Sequence, residues 1–512
     1  MTQSSKKRIA KNTAFLYVRM LFVLFVSLYT SRVVLHTLGV EDFGVYNVVA
    51  GFVTLFGFFN ATLSSSMQRF YNYEGANDKE KGYQRVYSAG LIIHVVLALV
   101  IFIILETIGL WYVNNVMVVP SGRLLAANIV FQSAIFSMLF VILQIPYMGA
   151  LMAKERMNYY AIVSMLDVVL KLVAIIVLPY LPFDKLIVYS MIILSISIFD
   201  FVCYFCYAKR EILSENFIYQ IDKPLFKSIL SFSGWNLVGT FAFFLKGQGV
   251  NMILNVFFGP IVNAARGVAY QVNGAITGFS ANISTAFRPQ IVDTYAEGKT
   301  DKTRSLMFME SKVCYSLMIL LTVPIILELD FLLRLWLGNI VPAQTNIFTV
   351  LVLIDSLIST LNTPCTQVAF AIGRIDKYQI ATSLVNLGLL PFALIFLYWG
   401  YDAVSVFVFT ILFSIISQIV SLVQLRKIFV YRLVDYIRIV VLPCGFISIV
   451  LPIFPFFVHN MIATESFLRF FLVFLTDIIV GALLMYQIIL SKEERIVLSQ
   501  YISSKFKNKK NA

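Results

Sequence analysis

Seven polar residues recur at steps of four and three between Gly259 and Glu297: Arg266, Tyr270, Asn273, Thr277, Ser280, Ser284 and Arg288. On an α-helix they share one narrow face. At 1.5 Å per residue, Arg266 to Arg288 spans about 33 Å, roughly the hydrocarbon thickness of a bilayer. Cations at both ends, with hydroxyls and an amide between, are groups for holding a polar solute. Such a stripe is costly against lipid, so it is expected to line a wet cavity. The plainer alternative is contact between membrane helices, where Ser and Thr are common.

Lys246 adds a cation deep within the preceding apolar span, 228–258. A cation near the midplane costs about 2.5–3.5 kcal/mol, which a carboxylate, water or an anionic ligand must offset. Arg32 lies in the outer half of the first span, where the same argument is weaker. On a straight helix Gln248, Asn251 and Asn255 share a face from which Lys246 points nearly away. Gly247 and Gly249 offer a bend that would bring them together. Asp167 precedes Lys171 by one turn, in the favourable order for an ion pair. Asp167, Asp355 and Asp477 stand inside spans, either as ion-coupling carboxylates or as partners for polar neighbours. The five cysteines lie in apolar segments, and the Cys203-x-x-Cys206 pair reads as small buried residues rather than a redox or metal site. No HExxH, Walker A or G-x-G-x-x-G pattern is present, so neither a metal nor another cofactor is expected.

The elements that carry these residues are membrane helices. Of 512 residues, 59% are hydrophobic and 13% charged, and the mean hydropathy is +0.84. Fourteen apolar spans are predicted between residues 13 and 490, giving an all-α polytopic membrane protein. The first, Phe15–Leu38, is too long for a signal-peptide core and reads as a retained span. The net charge of +13 is topological. Lys and Arg crowd the N-terminus, alternate loops and the C-terminal tail, whereas Val40–Phe43 holds only acids and Gly259–Asn263 no charge. Both termini are therefore placed in the cytoplasm, and no nucleic-acid partner is expected. Arg123, Lys185, Arg334 and Arg469 fall near external ends, within reach of headgroups.

The chain also repeats. Leu143, Pro146, Ala153, Arg156 and Tyr160 recur as Leu361, Pro364, Ala371, Arg374 and Tyr378, at an offset of 218. At an offset of 220, Gly39, Tyr46, Asn60, Ser64 and Gln68 match Gly259, Arg266, Ser280, Ser284 and Arg288. Each copy holds six spans, so two parallel six-helix lobes are expected, 1–217 and 218–428, followed by two additional helices and a basic tail in 429–512. Spans 1, 2, 7 and 8 would then surround a central cavity.

Three local features carry a family resemblance: Lys11-Asn-Thr, the run Leu38-Gly-Val-Glu-Asp-Phe-Gly-Val-Tyr-Asn47, and Gly373-Arg-Ile-Asp-Lys-Tyr378. With the two lobes and a cationic centre, they resemble the multidrug/oligosaccharidyl-lipid/polysaccharide exporter superfamily, in particular its O-antigen and capsule repeat-unit flippases. The resemblance covers about residues 8–430. It implies a lipopolysaccharide or capsule flippase of the bacterial inner membrane, with no enzymatic activity. Its substrate would be an undecaprenyl-diphosphate-linked oligosaccharide, moved from the cytoplasmic to the outer leaflet by alternating access. Lys246, Arg266, Arg32 and Arg288 would then meet the diphosphate. Asn60, Ser64, Gln68, Tyr270, Asn273, Thr277, Ser280 and Ser284 would line the path of the sugars. A proton or sodium gradient is a possible drive. Partners would be the lipid-linked glycan and membrane lipids, with a polysaccharide polymerase and glycosyltransferases of the same pathway. Alternatives are a lipid II flippase or a drug/cation antiporter of the superfamily, and a membrane polysaccharide polymerase.

Overall fold

The computed structural model describes residues 3–77, 81–154, 156–211, 222–373, 376–489 and 495. Side chains are described from residue 21 onward, apart from 58, 60–62, 65, 75–77, 157, 228, 230–239 and 286. All regular structure among these residues is helical. The helices are α1 (3–38), α2 (40–77), α3 (Gly82–Asn115), α4 (Leu124–Ala153), α5 (157–180), α6 (Lys185–Glu211) and α7 (Lys223–Phe258). Next come α8 (Pro260–Ala296), α9 (Thr300–Leu327), the short α10 (Leu329–Leu337), α11 (Thr345–Ile372) and α12 (Asp376–Tyr398). The chain ends in α13 (Ala403–Ile428), α14 (Leu433–Met461) and α15 (Phe467–Ile489).

Among the described residues, twelve stretches are long and apolar enough to cross a membrane. The first, Leu21–Gly57, joins most of α1 to the start of α2. α8 is 37 residues long yet is not among the twelve, because its polar face lowers its hydropathy. The molecule is an all-α, multi-pass membrane protein.

Matched residues of the repeat break the helices in the same way. Gly39 (φ 79°, ψ 172°) separates α1 from α2, and Gly259 (φ 75°, ψ −174°) separates α7 from α8. Only glycine tolerates this backbone region, so both hairpin turns depend on the missing Cβ. α4 and α11 are interrupted at Gln144 and Leu361, just ahead of the matched prolines 146 and 364. A proline lacks the N–H that would continue the ladder, so each helix restarts there.

The chain divides into two compact units. The first comprises 1–268, 336–345 and 386–406. Its core is apolar, with Val45, Val49 and Phe52 of α2 packed among Leu105, Phe131 and Ile135. A second cluster gathers Met67 and Tyr71 with Ile93, Tyr147 and Leu151. Arg123, ahead of α4, clamps two helix starts: its guanidinium binds Asp42 of α2 and Asp184, which precedes α6. Asp184 also accepts from the Leu186 and Ile187 amides at 3.0 and 3.1 Å, capping α6. Lys185 donates to the Pro179 carbonyl at the end of α5, 3.0 Å away.

The second unit comprises 269–335, 346–385 and 407–512. Here α15 is pinned to α9 at both ends. Arg469 forks onto the buried Glu328, with Nε and Nη2 at 3.0 and 2.7 Å from Oε2, and His459 Nδ1 lies 2.8 Å from Oε1. At the other end Lys312 donates to the Ile489 carbonyl at 2.7 Å. Arg334 pairs with Glu465. Arg123, Lys185, Arg334 and Arg469 thus have protein partners rather than reaching only for headgroups. The acids concerned are remote in sequence, so the pairing was not legible there. Lys312 itself lies within α9. Cys203 is half-buried against the second cluster and Cys206 is exposed, so the pair is not the fully buried one expected.

The Arg123 guanidinium holds the Asp184 carboxyl below the usual carboxylate range, partly opposed by burial. A depressed carboxylate stabilises the fold above its unfolded pKa and ceases to do so as pH falls through the folded value. Arg123→Ala should therefore cost about 0.2–1 kcal/mol, as for other partly exposed ion pairs. Melting curves of the purified protein should show the deficit at neutral pH and its narrowing in strongly acidic buffer.

Candidate functional site

α7 and α8 form a hairpin whose turn is fixed by Gly259, with its amide on the Asn255 carbonyl at 2.8 Å. α7 is one continuous helix, so the bend that Gly247 and Gly249 offered is not used. Asn251 and Asn255 are buried inside the first unit, with Gln248 half-buried on the same face. Asn251 Nδ2 donates to the Asn47 carbonyl (3.1 Å), and Asn255 exchanges bonds with the Val118 backbone at 2.9 and 3.3 Å. Asn263 of α8 donates to both oxygens of Asn251 at 2.7 and 2.9 Å. These amides close a seam in which α2 touches the hairpin. A Cβ on Gly44 would sit 2.0 Å from the Pro260 carbonyl oxygen, and one on Gly267 would sit 3.0 Å from Asn47.

The hairpin also carries two cations. Arg266 is buried, 6% exposed, and its Nη2 donates to the Gly247 carbonyl at 2.7 Å. That carbonyl belongs to the residue after Lys246, so the hairpin brings Arg266 to the Lys246 turn. Lys246 is half-buried. Arg32 is half-buried on α1, and Arg288 is exposed beside Pro289. Tyr46, the repeat mate of Arg266, is packed edge-on against Tyr189 with ring centres 4.9 Å apart.

The polar stripe of α8 changes character along its length. Tyr270 is 37% exposed, and Asn273 and Thr277 are half-buried, with the Thr277 hydroxyl turned onto the Asn273 carbonyl at 2.9 Å. Ser280 and Ser284 are each 6% exposed. Cys314 of α9 donates to the Ser280 carbonyl at 3.8 Å. Ser284 donates to Glu310 of α9 and accepts from Gln367 of α11, both at 2.6 Å. The lower stripe is contact between helices; the upper stripe is more open. Glu310 escaped sequence reasoning because its segment is apolar and its hydrogen-bond partner, Ser284, comes from another helix. A lone acid inside a predicted span was the available signal.

On α2, Ser64 is buried and Gln68 half-buried, next to Met67, which fills the space left by Gly90 and Gly149. The side chain of Asn60 lies outside the described residues, as does Arg374. Asp167 pairs with Lys171 at 2.7 Å, and Asp200 of α6 lies against that pair. Asp355 is half-buried on α11. Asp477 of α15 is fully buried, and neither carboxylate oxygen has a hydrogen-bond partner among the described residues.

No protein-family model matches the chain, and no curated protein matches it. Solved structures do. The lipid II flippase MurJ in an inward closed conformation superposes with a TM-score of 0.69 at 15% identity, covering 92% of this chain and 98% of that one. An inward-facing multidrug resistance MATE transporter of the MOP superfamily gives 0.64 at 15% identity, covering 80% and 97%. A MOP superfamily transporter from Pyrococcus furiosus gives 0.50 at 14% identity, covering 81% and 92%. The chain has the MOP transporter fold. Within this MOP fold the MurJ match spans more of the chain than either of the other two.

Close packing at the hairpin of this MOP fold is directly testable. Gly44→Ala should cost about 1–3 kcal/mol by forcing α2 from Pro260. Gly274→Ala on α8 meets nothing within 4 Å and should be neutral or slightly stabilising. Tryptophan-fluorescence melting of both variants in detergent checks the contrast.

Proposed function

We propose that the protein is a flippase for undecaprenyl-diphosphate-linked oligosaccharide repeat units, carrying them from the cytoplasmic to the outer leaflet by alternating access. The reading rests on one observation above others: the α7–α8 hairpin brings a buried arginine to the turn of an intramembrane lysine. Fixed cations favour an anionic headgroup, and opposite charges 4 Å apart are worth about 4 kcal/mol at an effective dielectric near 20. A cationic drug would meet repulsion at the same place. In the Pyrococcus furiosus transporter of this fold, reverse polarity of the binding pocket suggests a different function, so pocket charge is a reasonable guide to substrate. Tyr270, Asn273 and Thr277 on the more open part of α8 suit sugar hydroxyls. The wider reading includes an inner-membrane location with cytoplasmic termini, two lobes meeting as 1–217 and 218–428, and a glycan polymerase acting downstream. Lipid II is the second candidate substrate, favoured by the extent of the MurJ match.

The test is leaflet position of lipid-linked glycan in a deletion strain, read with an impermeant periodate or lectin probe. Build-up on the cytoplasmic side, relieved by the intact gene, supports flipping. Unpolymerised repeats on the outer side contradict it and indicate a polymerase. Lys246→Ala and Arg266→Ala should each lower outward movement by roughly tenfold or more, as expected for loss of a charged hydrogen bond, with expression retained. Wild-type rates in both would remove the cationic site from the account.

A further inference from the structure

α9 hides one acidic side chain completely. Glu310 is 0% exposed and lies well inside a 28-residue helix apolar enough to cross a membrane. Its Oε1 accepts from Ser284 Oγ at 2.6 Å. Its Oε2 is buried with no hydrogen-bond partner among the described residues. Among the described residues, the titratable groups facing it are two thiols, Cys314 on its own helix and Cys365 on α11. Lys312 is engaged elsewhere, on the Ile489 carbonyl and beside Cys444 of α14. Tyr436 of α14 bonds the neighbouring Ser311 at 3.4 Å, and Asp477 is the buried acid of α15. On α8 the next charge after Ser284 is the exposed Arg288. No counter-charge therefore pairs with Glu310 among the described residues.

An ionised carboxylate sealed in this way is strongly disfavoured, whereas the protonated acid is tolerated. We infer that Glu310 is a proton-binding site whose occupancy is tied to the contact between α8 and α9. The proton comes from water onto Oε2 and returns to water; only that O–H bond forms and breaks. With α8 seated, the carboxyl is shut away from water, and this burial outweighs the Ser284 hydrogen bond and keeps it protonated. When α8 withdraws, the Ser284 hydroxyl leaves with it, water reaches the group, and the proton is released. Because Ser284 belongs to the same polar face as Arg266, protonation becomes coupled to the position of the helix that carries the substrate groups. A bare metal cation fits less well, since the Ser284 hydroxyl is already held by both Glu310 and Gln367. The coupling to transport rests on the flippase reading; the proton site itself does not.

The test uses the full-length protein in lipid nanodiscs and infrared difference spectra between acidic and alkaline buffers, with and without sodium chloride. The wild type should show a protonated-carboxyl stretching band that Glu310→Gln removes. Ser284→Ala should keep the band but shift it to higher frequency, because the hydroxyl no longer donates to the carbonyl oxygen. An identical spectrum in Glu310→Gln overturns the inference, as does loss of the wild-type band on adding sodium at constant pH. In proteoliposomes loaded with lipid-linked glycan from the deletion strain, an imposed pH gradient should accelerate wild-type flipping severalfold and leave Glu310→Gln unaffected. Equal acceleration of both overturns the coupling, while absence of any wild-type flipping overturns the flippase reading and leaves the infrared result standing.

Discussion

A polar helix of membrane length must have its polar groups met by protein, and α8 is organised by that requirement. At its first turns, Asn263 and Arg266 spend their donors on α7, at the carbonyls of Asn251 and Gly247. Towards its other end, Ser280 and Ser284 meet α9 and α11. Between them the stripe is less fully covered, and Tyr270 is exposed. In hydrocarbon an unmet polar group is costly, which is why both ends of the stripe are covered by protein.

The same constraint explains the glycines. Two helices can share backbone-level contacts only where side chains are absent, which is why Gly44 lies against Pro260 and Gly267 against Asn47. The positive-φ turns at Gly39 and Gly259 then set where each hairpin reverses. Ion pairs finish the task at helix ends. Arg123 joins α2 to α6, and Glu328 joins α9 to α14 and α15. Removing one partner of the buried Glu328–Arg469 pair would leave the other uncompensated, which is the expensive case.

Periodicity and hydropathy made the helices legible, and a few matched residues made the repeat legible. Gly39 with Gly259, and Pro146 with Pro364, are matches of backbone geometry as well as of letters. The stripe on α8 was also readable, because 3.6-residue spacing is a local property. Which parts of it are covered was not, since that depends on how α9 and α11 pack, bringing Glu310 and Gln367 to Ser284. For the same reason the partners of Arg123, Arg334 and Arg469 were invisible in sequence. Gly247 and Gly249 suggested a bend that α7 does not make. Gly249 instead admits Leu390, whose methyl would lie 2.8 Å from an added Cβ, so that glycine serves packing rather than flexibility.

Fold alone does not choose a substrate, since transporters at 15% identity to this chain share the architecture. Charge at the α7–α8 hairpin is what distinguishes the readings. The most direct measurement is native mass spectrometry of the purified protein with a polyprenyl diphosphate and with the neutral polyprenol of the same chain length. The account predicts that the diphosphate binds at least tenfold more tightly, and that this preference collapses in the Lys246→Ala, Arg266→Ala double variant. Equal binding of the two lipids, or a preference untouched by the double variant, would contradict it.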